Sequence, residues 1–177
     1  MATNFLEQLV AEWYEFQGYF VRRNVRVGRR PKGGHDGELD VVAYKPETNH
    51  LIHIEPSMDA DRWEQREARY RRKFETGKKH IPELFSGLVL PENIEQVALF
   101  VFGSGERHPV VGGGKVVMIS EFMERIRKEL TGRSVAKAAV PEQFVILRAL
   151  QFAENYWQYQ DKKTEIGRGA RTKARQC

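Results

Sequence analysis

The chain is almost without cysteine: Cys177, the last of its 177 residues, is the only one. That excludes an internal disulfide framework and any zinc site built from several thiolates. A reducing, cytoplasmic setting is the expectation. Long apolar runs are missing too. The longest, from Val97 to Phe102, is far too short to cross a bilayer, so no membrane partner is expected. Met1 to Val10 carries Glu7 and no basic residue, which does not match a secretory leader. Two common motifs also fail. Gly112-Gly113-Gly114-Lys115 is followed by Val116 where a phosphate-binding loop needs Ser or Thr, and Pro109 stands where its first glycine belongs. His35, His50, His53, His80 and His108 have no metalloprotease spacing.

What is present describes a globular chain of one ordinary domain's length, 41% apolar and 30% charged. The net charge is +5, and the tail from Lys162 to Cys177 holds six basic residues against Glu165, which accounts for all of it. Basicity is therefore local. A second concentration is Arg22, Arg23, Arg26, Arg29, Arg30 and Lys32, a run with no acid inside it. A phosphate-facing surface is one reading of this run.

Hydrophobic periodicity predicts the elements. Asn4 to Gln17 reads as an amphipathic helix ended by Gly18, with Leu6, Leu9, Val10, Trp13 and Phe16 on one stripe. Tyr19 to Val27 alternates as a strand, and 28–37 is a Gly/Pro/basic loop. Glu38 to Tyr44 and Leu51 to Glu55 are further strands, with Pro56 expected to interrupt the ladder. A helix from about Arg62 to Thr76 is closed by Gly77. Val97 to Phe102 and Val116 to Ile119 are strands on either side of a glycine-rich loop. Ser120 caps a helix to Leu130, and Pro141 opens a last helix to Tyr159. This order predicts an α/β (α+β) fold, a central mixed sheet flanked by helices.

Two carboxylates occupy unusual places. Asp40 lies inside the apolar run Leu39-Asp40-Val41-Val42, and Glu55 ends Leu51-Ile52-His53-Ile54-Glu55. A carboxylate there loses solvation and must be paired, protonated or bound to a metal. If the two strands pair, both acids converge, and such oxygens suit Mg²⁺ or Mn²⁺. A cation held this way can activate water and neutralise phosphodiester charge. The other reading is a set of buried salt bridges to arginines. His53 shares a strand face with Glu55 and Ser57, and reads most simply as a satisfied core histidine.

A helix ending in Gly-aromatic, a strand, an Asp in a strand, then a Glu some fifteen residues later and a following helix resembles the PD-(D/E)XK nucleases. The resemblance spans Asn4 to Phe102 and implies a restriction-endonuclease-like core with extra C-terminal helices. It implies that Asp40 and Glu55 are the metal-binding pair and that Glu7 corresponds to the helix-one glutamate of resolvase-type members. The family lysine belongs two residues after Glu55, where this chain has Ser57. In some members that basic residue migrates to the next helix, which here carries the stripe Arg62, Arg66, Arg69 and Lys73. Arg62 and Arg66 are expected to substitute; Lys73, ~16 Å beyond Arg62 at 1.5 Å per residue, is set aside as too distant. An arginine can stabilise charge but cannot act as a base. The acids Asp61, Glu64, Glu67 and Glu75 between these residues give the stripe a second reading, a solvated face.

Two functions of different class stand open. One is a divalent-metal-dependent nuclease acting on DNA, with RNA second. The other is an inactive nucleic-acid-binding module that keeps the fold, which Ser57 and Pro56 favour. A third, an interaction protein whose acids are structural, sets the resemblance aside. The expected organisation is a nuclease-like core over 1–131, a helical extension packed on it over 132–159, and a basic, disordered tail over 160–177. The helix of the extension, with Phe144, Leu147, Leu150 and Trp157, either packs on the core or forms a homodimer interface.

Overall fold

The structure, a computed structural model, describes residues 4–156. Residues 160–177, expected as a basic tail, and 157–159, expected as the end of the last helix, lie outside the described residues. In chain order the elements are α1 (Phe5–Phe16), β1 (Phe20–Arg29), β2 (His35–Lys45), a 3₁₀ turn (Pro46–Thr48), β3 (His50–Ser57), α2 (Trp63–Leu84), β4 (Glu95–Phe100), β5 (Val110–Val111), β6 (Gly114–Met118) and α3 (Ile119–Leu130). A fourth helix, α4, spans 145–156. The chain divides into two compact units between Met123 and Glu124, within α3.

The first unit is the expected α+β fold, a six-stranded mixed sheet in the order β1-β2-β3-β4-β6-β5 with helices on its faces. β1, β2 and β3 form an antiparallel meander, β3, β4 and β6 run parallel, and β5 closes the far edge as a hairpin with β6. The parallel step from β3 to β4 requires a crossover, and α2 supplies it. Asn4 caps α1, its side-chain oxygen accepting from the Leu6 amide at 3.1 Å.

Period-two alternation sorts the two faces. On β3, Leu51 packs with Ile81 and Phe85 near α2, together with Val27, Leu39, Val42 and Tyr44. His53 and Glu55 share that face; Ile52 and Ile54 fill the other, which α1 shares with β1 and β2. A second cluster joins Tyr70 and Phe74 of α2 to Ala98, Phe100, Val111 and Val116. Each such side chain contributes roughly 1.5–3 kcal/mol on burial.

Several boundaries differ from the expectation, each for a physical reason. α2 does not stop at Gly77 but runs through it to Leu84, with Pro82 in its last turns. Gly77 is small because α2 crosses β3 there: a methyl at that position would overlap the His53 ring, 2.6 Å from Cε1. Pro56 does not end β3. The strand continues to Ser57, pairing Pro56 with Leu99 and Ser57 with Phe100 of β4. Ser57 turns its carbonyl to the β4 side, accepting from Val101 N at 3.2 Å. The neighbouring Pro56 therefore turns its missing N–H to the other side, beyond the last β2 pair, where no partner is left wanting. The glycine-rich loop yields a hairpin, because Gly112 and Gly113, at φ 58° and 85°, make the two-residue turn between β5 and β6. Ser120 lies inside α3, which starts at Ile119, and is not its cap. The last helix begins at 145, not at Pro141.

The second unit holds its own polar centre. Gln151, fully buried, accepts from Val140 N at 2.8 Å and donates to the carbonyls of Ala138 and Arg133.

Candidate active site

The sheet forks where the two carboxylates lie. The last β2–β3 pair is Val41↔Ile54. Beyond it β2 continues beside β1, and β3 continues beside β4. Asp40 and Glu55 are the next residue on each strand, so both acids stand at the point of separation. The β1–β2 ladder is also interrupted here, pairing Arg23↔Val41 and Val25↔Leu39 but skipping Asn24, whose φ of 51° is left-handed. The Asp40 amide instead donates to Glu55 Oε1 at 3.3 Å. A local break of this kind re-aims a strand side chain. The expected convergence of Asp40 and Glu55 is thus present; Asp40 keeps 15% side-chain exposure and Glu55 none.

The basic residue at the pair is Lys73. Its ammonium donates to Asp40 Oδ2 at 2.9 Å and also to Glu55 Oε2. The expectation that Lys73 lies too far away is overturned, and the error is one of direction. α2 folds back along β3. Trp63 meets Phe100, Arg66 reaches the Phe102 carbonyl, Tyr70 reaches the Glu55 carbonyl, and Phe74 meets the His53 ring. Each turn of α2 therefore retraces the strand towards its start, and the third turn lies over Glu55. Distance along the helix axis from Arg62 is not distance from the acids.

The expected substitutes do other things. Arg66 is 2% exposed and wholly engaged: Nε donates to Asp59 Oδ1 at 3.0 Å, one terminal nitrogen to the Asp59 carbonyl at 2.7 Å, the other to the Phe102 carbonyl at 2.9 Å. Its guanidinium lies over the Phe100 ring, 4.3 Å from the centroid. It ties the 58–62 loop to the end of β4. Arg62, exposed at the start of α2, caps nothing with its side chain. Ser57 is a turn residue: its hydroxyl donates to the Asp59 carboxylate and accepts from Asp59 N at 3.1 Å. Glu7 is half-buried on α1. Among the described residues no group of three or more His, Cys, Asp or Glu is gathered that could hold a metal ion, so neither Glu7 nor any other such residue joins the pair.

Burial dominates the electrostatics. Burial and the neighbouring Glu55 carboxylate push Asp40 up to about 8. Burial also opposes the Glu55 charge, but hydrogen bonds from His53 and Asp40, with the charge of Lys73, hold Glu55 down at about 2. Burial works against the Lys73 ammonium as well, yet Glu55 and Asp40 outweigh it and hold its proton more firmly than water does. The trio is neutral when Asp40 carries the shared proton. Burial pushes the Tyr70 hydroxyl up to about 12, so it stays a donor.

The basic run of β1 is partly spent within the fold. The hairpin register sets Arg26 against Glu38, an ion pair at 3.4 Å, and Arg30 pairs with Asp36 at 3.0 Å. Acids absent from the run come from the partner strand. Arg22 donates to the Leu84 carbonyl at 3.2 Å. Arg23, Arg29 and Lys32 are exposed and have no partner among the described residues.

Asp40 Oδ2 and Glu55 Oε2 face one position, which the Lys73 ammonium holds. This donor set suits a hard divalent cation: magnesium-type sites need one or two carboxylates, with water and phosphate oxygens completing the shell. By strand alternation the Pro56 carbonyl turns to the β2 side of β3, away from β4. Lys73 and Tyr70 were the residues missed from the sequence. Their signal was the spacing of Tyr70, Lys73, Phe74 and Gly77, one face of a helix. No family model matches the sequence, and no curated protein matches it.

Proposed function

We propose that the chain is a divalent-metal-dependent nuclease of the PD-(D/E)XK type, acting on phosphodiester bonds of DNA ahead of RNA. The observation that carries this is Lys73, whose ammonium bridges Asp40 and Glu55 from α2 and so supplies the cation that position 57 lacks. Asp40 and Glu55, with the Pro56 carbonyl, would hold Mg²⁺ or Mn²⁺ between the two carboxylates, and the Lys73 ammonium would then move aside to stand next to the ion. Such an ion, when bound, polarises the phosphodiester and activates water. Lys73, held protonated, serves as a fixed positive charge for the developing phosphorane oxygens and not as a base. Tyr70 and Phe74 shield the inner side of the pair from water. The exposed Arg23, Arg29 and Lys32 are the proposed phosphate contacts. The single cysteine supports a cytoplasmic location, and among the described residues no helix is long and apolar enough to cross a membrane.

The inactive-module reading drew its strength from Ser57 and Pro56. It loses that support, since the charge is provided elsewhere and Pro56 fits the strand. The test is incubation with single-stranded, double-stranded and branched DNA and with RNA, in Mn²⁺ or Mg²⁺. Asp40→Ala, Lys73→Met and chelated samples run beside the wild type. Cleavage abolished in all three supports the nuclease. Cleavage unchanged in Asp40→Ala, or none by the wild type on any substrate, overturns it.

A further inference from the structure

The two oxygens of Glu55 have different partners. Oε1 receives His53 Nε2 at 2.7 Å and the Asp40 amide at 3.3 Å; Oε2 accepts from the Lys73 ammonium, which it shares with Asp40 Oδ2. We infer that His53 is a positioning residue: it locks the Glu55 carboxylate by Oε1 so that Oε2 points at the cation position. This rests on the metal-site reading above and adds a residue that the Asp-Glu-Lys trio does not include.

The geometry of the histidine supports it. Both His53 and Glu55 are wholly buried. A carboxylate oxygen only accepts, so the ring hydrogen is on Nε2. Among the described residues His53 Nδ1 has no hydrogen-bond partner, which leaves Nε2 as the ring's one hydrogen-bonding atom. The ring cannot swing away. Phe74 meets it edge-on at 5.5 Å, and α2 passes so close that only glycine fits at position 77. Gly in a helix interior is costly. Here it makes room for one imidazole. A histidine that hydrogen-bonds a liganding carboxylate acts as metal-site outer shells do, fixing orientation without touching the ion.

Mn²⁺ alone, titrated calorimetrically into the full chain, tests this, with the melting temperature of each metal-free variant measured alongside. His53→Leu is expected to weaken Mn²⁺ binding roughly ten- to hundredfold, while His53→Gln, whose amide can donate at the same reach, stays within about threefold of wild type. Gly77→Ala should also weaken binding, by crowding an intact His53. It does so although alanine favours the helix. If His53→Leu does not fold, Gly77→Ala and His53→Gln decide. Wild-type affinity in His53→Leu, or in Gly77→Ala where the former is unfolded, overturns the inference and leaves the metal site standing. Equal weakening in His53→Gln and His53→Leu also overturns it, since packing alone would then suffice. A wild type that binds no Mn²⁺ removes the metal site and this inference together.

Discussion

Lys73 and Asp40 lie 33 positions apart in sequence, yet the lysine ammonium is 2.9 Å from Asp40 Oδ2. The pairing exists because α2 turns back over β3 and β2 parts from β3 just where Asp40 emerges. Glu55, fully buried, shares the same ammonium. Removing one member of a buried charge cluster leaves the others uncompensated. Lys73→Met is therefore expected to cost about 3 kcal/mol, the lower end for a buried pair because the lysine is 29% exposed. Urea denaturation measures it, and Lys73→Met should also abolish cleavage. A Lys73→Met variant of wild-type stability would mean that the trio is not coupled.

The raised Asp40 gives the metal-free protein a specific pH dependence. Between the ordinary carboxylate range and about 8, the folded state keeps a proton that the unfolded state has released. Folding then binds protons, so stability falls as pH rises across that window and levels off above it. Asparagine imitates the protonated acid. Asp40→Asn should match the wild type near pH 4 and exceed it in melting temperature at pH 9, both in chelator. A constant difference across pH would show that Asp40 does not hold the proton. Glu55 behaves oppositely: its lowered value adds stability above the usual carboxylate range, which disappears as pH falls towards about 2.

Much of this was legible in the sequence, for reasons that separate by length scale. The apolar runs of β2 and β3 placed Asp40 and Glu55 within strands, because a carboxylate inside such a run stands out whatever packs on it. α1 was legible from its apolar stripe and from Gly18 behind it. What the sequence did not show was how α2 lies on the sheet. Gly77 read as a helix stop because glycine serves equally for termination and for close approach, and only the position of His53 distinguishes the two. Lys73 was missed through the same ambiguity: a helix spacing gives distances along the helix, not its direction over a strand. Glu38 and Asp36 pair with Arg26 and Arg30 across a hairpin, which a scan for acids within the basic run cannot see.

Arg66 and Arg62 make a controlled comparison on one helix. Arg66 is buried, bonded three ways to Asp59 and Phe102, and stacked on Phe100. Arg66→Met leaves the Asp59 carboxylate to Arg69 and Ser57 but strands the carbonyls of Asp59 and Phe102, and should cost about 3 kcal/mol. Arg62→Ala should change stability by less than about 0.5 kcal/mol, as exposed sites usually do. Chemical denaturation of both variants checks this. If Arg62→Ala instead abolished cleavage while leaving Mn²⁺ affinity intact, the exposed arginine and not Lys73 would be the charge that the reaction uses.

The free arginines of the β1 hairpin make the nucleic-acid reading quantitative. Arg23, Arg29 and Lys32 are exposed and unpaired among the described residues, whereas Arg26 and Arg30 are tied to Glu38 and Asp36. Each cation withdrawn from a phosphate should reduce the slope of log affinity against log salt by about 0.9 on duplex DNA. Replacing Arg23, Arg29 and Lys32 together by alanine should then flatten the slope by up to about 2.7. Replacing Arg26 and Arg30 should flatten it less, because their charge is already balanced within the hairpin. Fluorescence anisotropy of labelled duplex DNA, in Ca²⁺ to suppress cleavage and at several salt concentrations, reads both. Asp40→Ala should leave the slope unchanged, since it removes no cation. Equal slopes in the triple variant and the wild type would take the hairpin out of the interface, and the search for phosphate-binding residues would move to Arg62 and the exposed face of α2.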